Sequence, residues 1–181
     1  RLSLVGSEMC IRDRSTPGRI CLFGEHLDYL GLPVIAMAIS LRMSIKGTFR
    51  SDNMIKVDMP DLNEIKVFCL DELNYKNKDY FKSGLKICKK AGMNFSRGMN
   101  CQIKSDIPIS AGTSSSSAMN VGWINFLSKM ADKPFKLNPN QIAEMAYQAE
   151  VEEFNESGGM MDQYSTAVGQ IIYLKPVSYT H

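Results

Sequence analysis

The chain has 181 residues, of which 44% are apolar and 22% charged, with a formal net charge of +2. These are the values of a globular domain with room for a sizeable core. They point to neither nucleic acid nor an anionic membrane as partner, and no apolar stretch approaches a membrane span.

Residues 1–14 come first and look foreign to the rest. The segment Ser3–Arg14 (SLVGSEMCIRDR) and the end Val177–His181 (VSYTH) resemble translated sequencing-library adapter. The expected organisation is therefore an adapter-derived or disordered segment over 1–14, one domain over 15–176, and an adapter-derived tail over 177–181. A natural N-terminal arm is the alternative.

Arg19–Phe23 (RICLF) reads as a short strand between Pro17-Gly18 and Gly24. A polar turn follows over 25–32, and Pro33–Ile39 is apolar and extended. Leu41, Met43, Ile45 and Phe49 alternate with Arg42, Ser44, Lys46, Thr48 and Arg50, the pattern of a half-buried strand. After the turn Ser51-Asp52-Asn53, the alternation of Ile55, Val57 and Met59 predicts its hairpin partner, and Ile65, Val67 and Cys69 a third strand.

Asp79–Ala91 reads as an amphipathic helix that Gly92 ends. Met99, Cys101 and Ile103 alternate as a strand. That strand leads into Pro108–Met119 (PISAGTSSSSAM), a run of small residues. Met119, Trp123, Phe126, Leu127 and Met130 then repeat at helical spacing as core. Asn138-Pro139-Asn140-Gln141 combines an N-cap, a Pro at N1 and a Gln at N3, and starts a helix running to about Glu153. Ser157-Gly158-Gly159 breaks it. Met160–Val168 reads as a short helix and Ile171–Leu174 as a strand. Strands and helices mix without regular βαβ alternation, so the fold class is α+β.

Five scattered cysteines, never spaced as CxxC, fit reduced thiols in a cytoplasmic protein. His26 and His181 are too few for a histidine-rich metal site or a Ser-His-Asp triad. Three segments remain as chemical candidates. The small-residue run is either a Ser-rich linker or a phosphate-binding loop, because a helix start offers unpaired N–H groups and a positive dipole end. It has no lysine and is not a Walker loop. Its serine hydroxyls can add a ligand to magnesium. Arg19 with Glu25-His26-Leu27-Asp28-Tyr29 is either a solvated turn or a hydrogen-bonding surface for a polyhydroxylated ligand. Gly158-Gly159-Met160-Met161-Asp162-Gln163 holds either a helix-capping acid or a functional one whose proton affinity its apolar neighbours tune.

Taken together, PGRICLFGEHLDYLG, PISAGTSSSSAM and GGMMDQYSTAVG resemble, in order and spacing, three signatures of the GHMP kinase superfamily, across roughly residues 17–174. EHxDY and GxMDQ are most similar to its galactokinase branch. Cys21 stands where galactokinases have Asn, Leu27 where they have Thr, and GTSSSSAM where they read GLSSSAS. The resemblance implies a left-handed β-α-β domain of the ribosomal protein S5 domain 2 type, with the family's second, ferredoxin-like domain missing here. It implies ATP and Mg²⁺ as cofactors and a monosaccharide hydroxyl as phosphoryl acceptor. Asp162 matches the catalytic aspartate and Arg19 its arginine partner. Glu25, His26, Asp28 and Gly159 match sugar-binding positions. Ser110, Ala111, Gly112, Thr113, Ser114, Ser115 and Ser116 match the ATP phosphate loop. Ser116 and Glu150 match the magnesium ligands, although Glu150 taken alone also reads as a solvated helix carboxylate. Rival expectations are another GHMP kinase, acting on mevalonate, a uronic acid or a different sugar, and a non-catalytic sugar sensor. A fragment of this extent is expected to be poorly active.

Overall fold

The computed structural model describes residues 12–75, 78–108 and 112–175. The terminal segments 1–11 and 176–181 lie outside the described residues, as do Ser110 and Ala111 of the predicted phosphate loop.

Six strands form one mixed sheet. They are β1 (Arg12–Phe23), β2 (Val34–Phe49), β3 (Met54–Met59), β4 (Glu64–Cys69), β5 (Met99–Ser105) and β6 (Ile171–Leu174). The helices are α1 (Tyr80–Lys90), α2 (Ser115–Met130), α3 (Pro139–Glu150) and α4 (Met161–Val168). The sheet order is β1-β2-β5-β3-β4, with β6 added against the first part of β2.

Three expectations change. The segments read as Pro33–Ile39 and Leu41–Arg50 are one strand, because β2 needs its full length to serve different neighbours: β6 along Val34–Met37 and β5 along Met43–Phe49. β1 begins at Arg12, where Arg12, Asp13 and Arg14 pair with Gly47, Lys46 and Ile45. The hairpin of β2 with β3 does not form. β5 lies between them, antiparallel to β2 and parallel to β3, after a crossover through β4 and α1. Alternation says which face of a strand is buried and is silent on which strand lies beside it.

One face of the sheet is covered. Ile45, Ile55, Val57, Met99, Cys101 and Ile103 point into a core completed by Leu85, Trp123, Phe126, Leu127 and Ala146. The alternating partners Lys46, Lys56 and Gln102 face outward. The Trp123 indole N–H donates to the Phe81 carbonyl at 3.0 Å, which satisfies the one polar atom of the largest core side chain. Gly47 lets α2 settle on the sheet: a Cβ there would lie 2.5 Å from the Phe126 ring.

α1 starts at Asp79, whose carboxylate accepts the Phe81 and Lys82 N–H groups, and ends before left-handed Gly92. α3 starts as its sequence predicts, with a full capping box, but stops at Glu150; a 3-10 turn takes over at Glu152–Phe154. Among the described residues no helix is long and apolar enough to cross a membrane. Cys21, Cys69, Cys88 and Cys101 are free thiols.

Candidate active site

The second half of β1 carries Arg19 past the start of α2. A register shift against β2 between Pro17 and Arg19 re-aims the strand there. The Arg19 backbone N–H donates to the Thr113 carbonyl at 3.2 Å, and its Nη1 donates to the Gly112 carbonyl at 2.9 Å. Its Nε and Nη2 both reach Asp162 Oδ1, at 2.8 and 2.6 Å. Ser114 Oγ donates to the other carboxylate oxygen, Oδ2, at 2.6 Å. Arg19 is buried, so this fork is partly shielded from water and gains strength from it. Residues 19, 114 and 162 meet across 143 positions of sequence.

Asp162 sits in the first turn of α4, a helix whose own N-cap, Met160, makes no side-chain cap. Asp28 supplies the missing acceptor from another part of the chain: its Oδ2 takes the Met161 N–H at 3.0 Å. Gly159 is what permits this approach. A Cβ at that position would fall 2.0 Å from the Asp28 carboxyl group. Burial pushes the Asp28 carboxyl above the usual range, and its Oδ1 has no protein partner.

Glu150 is the last residue of α3 and is buried. Its Oε2 accepts from Gln163 Nε2 at 2.8 Å. Burial raises its proton affinity; hydrogen bonds from Gln163 and the hydroxyls of Ser116 and Ser117 act the other way, and Asp162 adds to the rise. A buried carboxyl group with neutral hydrogen-bond donors around it, beside a serine hydroxyl, is a donor set of hard oxygens suited to magnesium. Among the described residues no group of three or more His, Cys, Asp or Glu forms a self-contained metal cage. Two protein ligands with the remainder from phosphate and water is the usual arrangement for that ion.

Two cavities flank the first turn of α2. One, of about 250 Å³, is lined by Arg19, Glu25, Asp28, Ser116, Glu150 and Asp162 together with Gly158-Gly159. The other, of about 300 Å³, is mostly apolar; Met43, Met59, Ile107 and Met119 form its walls and Ser115 and Ser116 its edge. Ser116 belongs to both. A wider, open depression at Tyr75, Lys86 and Glu153 shares Lys78 with the apolar cavity, and its charges are already matched: Glu153 accepts from Tyr75 and Lys86, and Glu156 pairs with Lys78.

Most of the residues singled out in the sequence therefore converge. Arg19, Glu25, Asp28, Ser116, Glu150, Gly159 and Asp162 share one cleft. Ser115 edges the apolar cavity, and Gly112, Thr113 and Ser114 bind Arg19 or Asp162. His26 is exposed and is not among the residues lining the cleft. The sequence marks neither Gln163 as the donor to Glu150 nor the apolar cavity. Met43 and Met59 carry the strand alternation of core residues and Met119 their helical spacing, so nothing local marks them.

The family described as "GHMP kinases N terminal domain" matches residues 79–170, and the "Galactokinase galactose-binding signature" matches residues 14–47. The chain is 32% identical over 158 residues to galactokinase of Haemophilus influenzae, covering 85% of this chain and 41% of that protein. It is 32% identical over 178 residues to mevalonate kinase of Pyrococcus abyssi, covering 92% and 52%. In structure it is similar to Lactococcus lactis galactokinase complexed with galactose, with TM-score 0.81 and 25% identity over 91% of this chain and 44% of that one. It is equally similar to the Methanococcus jannaschii mevalonate kinase, with TM-score 0.80 and 26% identity over 91% and 53%. The chain thus spans about half the length of these relatives, or less.

Proposed function

The chain belongs to the GHMP kinase family, and from that premise we propose that it carries the catalytic face of a kinase moving the γ-phosphoryl group of ATP to a hydroxyl of a neutral monosaccharide. The observation that carries the reading is the fork of Arg19 and Ser114 on Asp162 at the open start of α2.

Phosphoryl transfer is mostly positioning and charge stabilisation. The first-turn N–H groups of α2 and its dipole attract the nucleotide phosphates. The apolar cavity beside Ser115 suits the nucleotide base, which needs a flat, dry slot within reach of those phosphates. Arg19 faces the transferring group and offsets charge growing on its oxygens. Asp162 accepts a hydrogen bond from the acceptor hydroxyl and orients it for in-line attack. Asp28 and Glu25 bind further hydroxyls. Ser116 and Glu150 would hold Mg²⁺, which when bound neutralises phosphate charge.

The cleft itself favours a neutral acceptor over an acid. Glu25, Asp28, Glu150, Glu156 and Asp162 line it; Lys78 pairs with Glu156 from outside the lining, and Arg19 is the one cation lining it among the described residues. A substrate carboxylate, as in mevalonate or a uronic acid, would meet like charge at short range in a partly dry site. The presence of both Arg19 and Asp162 also speaks for a kinase over a sugar sensor.

Isotope transfer from ATP by the natural full-length gene product, across neutral sugars, uronic acids and mevalonate, tests this. Phosphorylation of a neutral sugar is the expected result. Transfer to mevalonate or a uronate alone overturns the substrate class. Sugar-dependent partner binding without turnover overturns the enzyme.

A further inference from the structure

Ser114 occupies the N-cap position of α2 and its carbonyl accepts the Ala118 N–H at 2.9 Å, yet its side chain does none of what a capping side chain does. An ordinary cap is extended and its hydroxyl accepts an N–H from the first turn. Ser114 is left-handed, at φ 54° and ψ 50°, and makes no side-chain bond to its own helix. Glycine fills such a conformation without strain, and asparagine tolerates it. Two of the other non-glycine residues with positive φ among those described, Asn63 and Asn155, are asparagines at the ends of 3-10 turns. Gln170 is the third, at φ 64°, so the backbone alone decides nothing; what singles out Ser114 is where its hydroxyl goes.

That hydroxyl points away from the helix and donates to Asp162 Oδ2 at 2.6 Å. Arg19 holds the opposite oxygen. The carboxylate is therefore gripped on both oxygens by two elements of different origin, β1 and the start of α2. Each partner restrains the carboxylate from turning about its last side-chain bond, and the grip on both oxygens restrains it more than either alone. One further consequence is that the phosphate-facing turn and the acid that orients the acceptor are tied by a single short hydrogen bond.

We propose that Ser114 is a positioning residue for phosphoryl transfer: it fixes the Asp162 carboxylate relative to the phosphate-facing start of α2. This deepens the kinase reading above and rests on it. The left-handed geometry makes the test sharp, because replacement by glycine removes the hydroxyl and relieves the strain together.

The experiment uses the natural full-length gene product and its best sugar acceptor. Ser114→Gly is expected to lower kcat about tenfold, with KM for ATP and sugar within about threefold, while the melting temperature stays level or rises. Ser114→Thr, which keeps a hydroxyl and worsens the strain, is expected to recover most of the lost kcat and to melt lower. Wild-type kcat in Ser114→Gly overturns the proposal, as does a loss carried in KM alone or one that tracks melting temperature across both variants. A wild-type protein that transfers phosphate to no acceptor overturns the kinase reading, and the proposal with it.

Discussion

The starts of α2 and α3 solve the same physical problem in opposite ways. Each helix begins with N–H groups that have no partner within the helix. At α3 they are closed off: Asn138 accepts the Gln141 N–H and Gln141 accepts the Asn138 N–H, both at 2.9 Å, with Pro139 where an N–H would be wasted. At α2 the capping serine turns its hydroxyl to Asp162 and its backbone is left-handed. The first start makes α3 stable. The second leaves the first turn of α2 without a side-chain cap and spends the hydroxyl on Asp162 instead. At α4 an uncapped start is met by Asp28 of the same chain; on the kinase reading, the start of α2 is met by nucleotide phosphate.

The largest effect is expected from breaking the open side at its centre. Asp162→Asn keeps the shape of the side chain and removes its charge. Arg19 then loses its ionic partner and, on the kinase reading, the acceptor hydroxyl loses its guide. Turnover should fall on the order of 10³-fold or more, with nucleotide binding largely kept. Steady-state phosphoryl transfer together with nucleotide titration checks both halves. Near-normal turnover would remove Asp162 from the mechanism.

Glu150→Gln sharpens the comparison from the far end of α3. The closed start anchors that helix, and its last residue reaches Ser116 at the open start of α2. Burial raises the Glu150 pKa. A carboxyl group that holds its proton more tightly when folded loses stability as pH rises from the ordinary carboxylate range through its raised value, and carries the full cost above that. Without metal, Glu150→Gln should therefore melt higher than wild type at about pH 8 and nearly level with it at about pH 4. Asp28, raised in the same direction, leaves part of the pH dependence in both proteins. Added Mg²⁺ should raise the wild-type melting point more than that of the variant, and transfer by the variant should fall about 10²-fold. Equal response of both proteins to Mg²⁺ would take Glu150 out of the metal site.

The same contrast explains what could be read from the sequence. The closed start of α3 is local chemistry: Asn138, Pro139 and Gln141 lie within four residues and announce themselves. The cap of α1 at Asp79 and the alternation of β2, β3 and β5 are equally local. The place of β5 between β2 and β3 is not, because alternation carries no address for a neighbour. The open start of α2 reads as small residues alone; its partners Arg19 and Asp162 lie far away in the chain, and only the resemblance of three separated segments joined them. The turn that buries Asp28 leaves His26 in solvent. The apolar cavity stayed hidden because Met43, Met59 and Met119 look like core until the helices leave a gap beside them.

The smallest effect tests the closed side on its own terms. Asn138→Ala removes the acceptor for the Gln141 N–H and the reason for the Gln141 side chain to fold back. Loss of such a cap costs about 1 kcal/mol. In a domain of this size that is a fall of about 2–4 °C in melting temperature. Asn138 is exposed and lines neither cavity, so kcat and KM of the folded enzyme should match wild type. Set beside Ser114→Gly, the two variants should move in opposite columns: one loses stability and keeps rate, the other loses rate and keeps stability. If Asn138→Ala also lowered kcat at a temperature where the protein is fully folded, the start of α3 would be transmitting to Glu150. The division between a helix start built for stability and one built for chemistry would then fail.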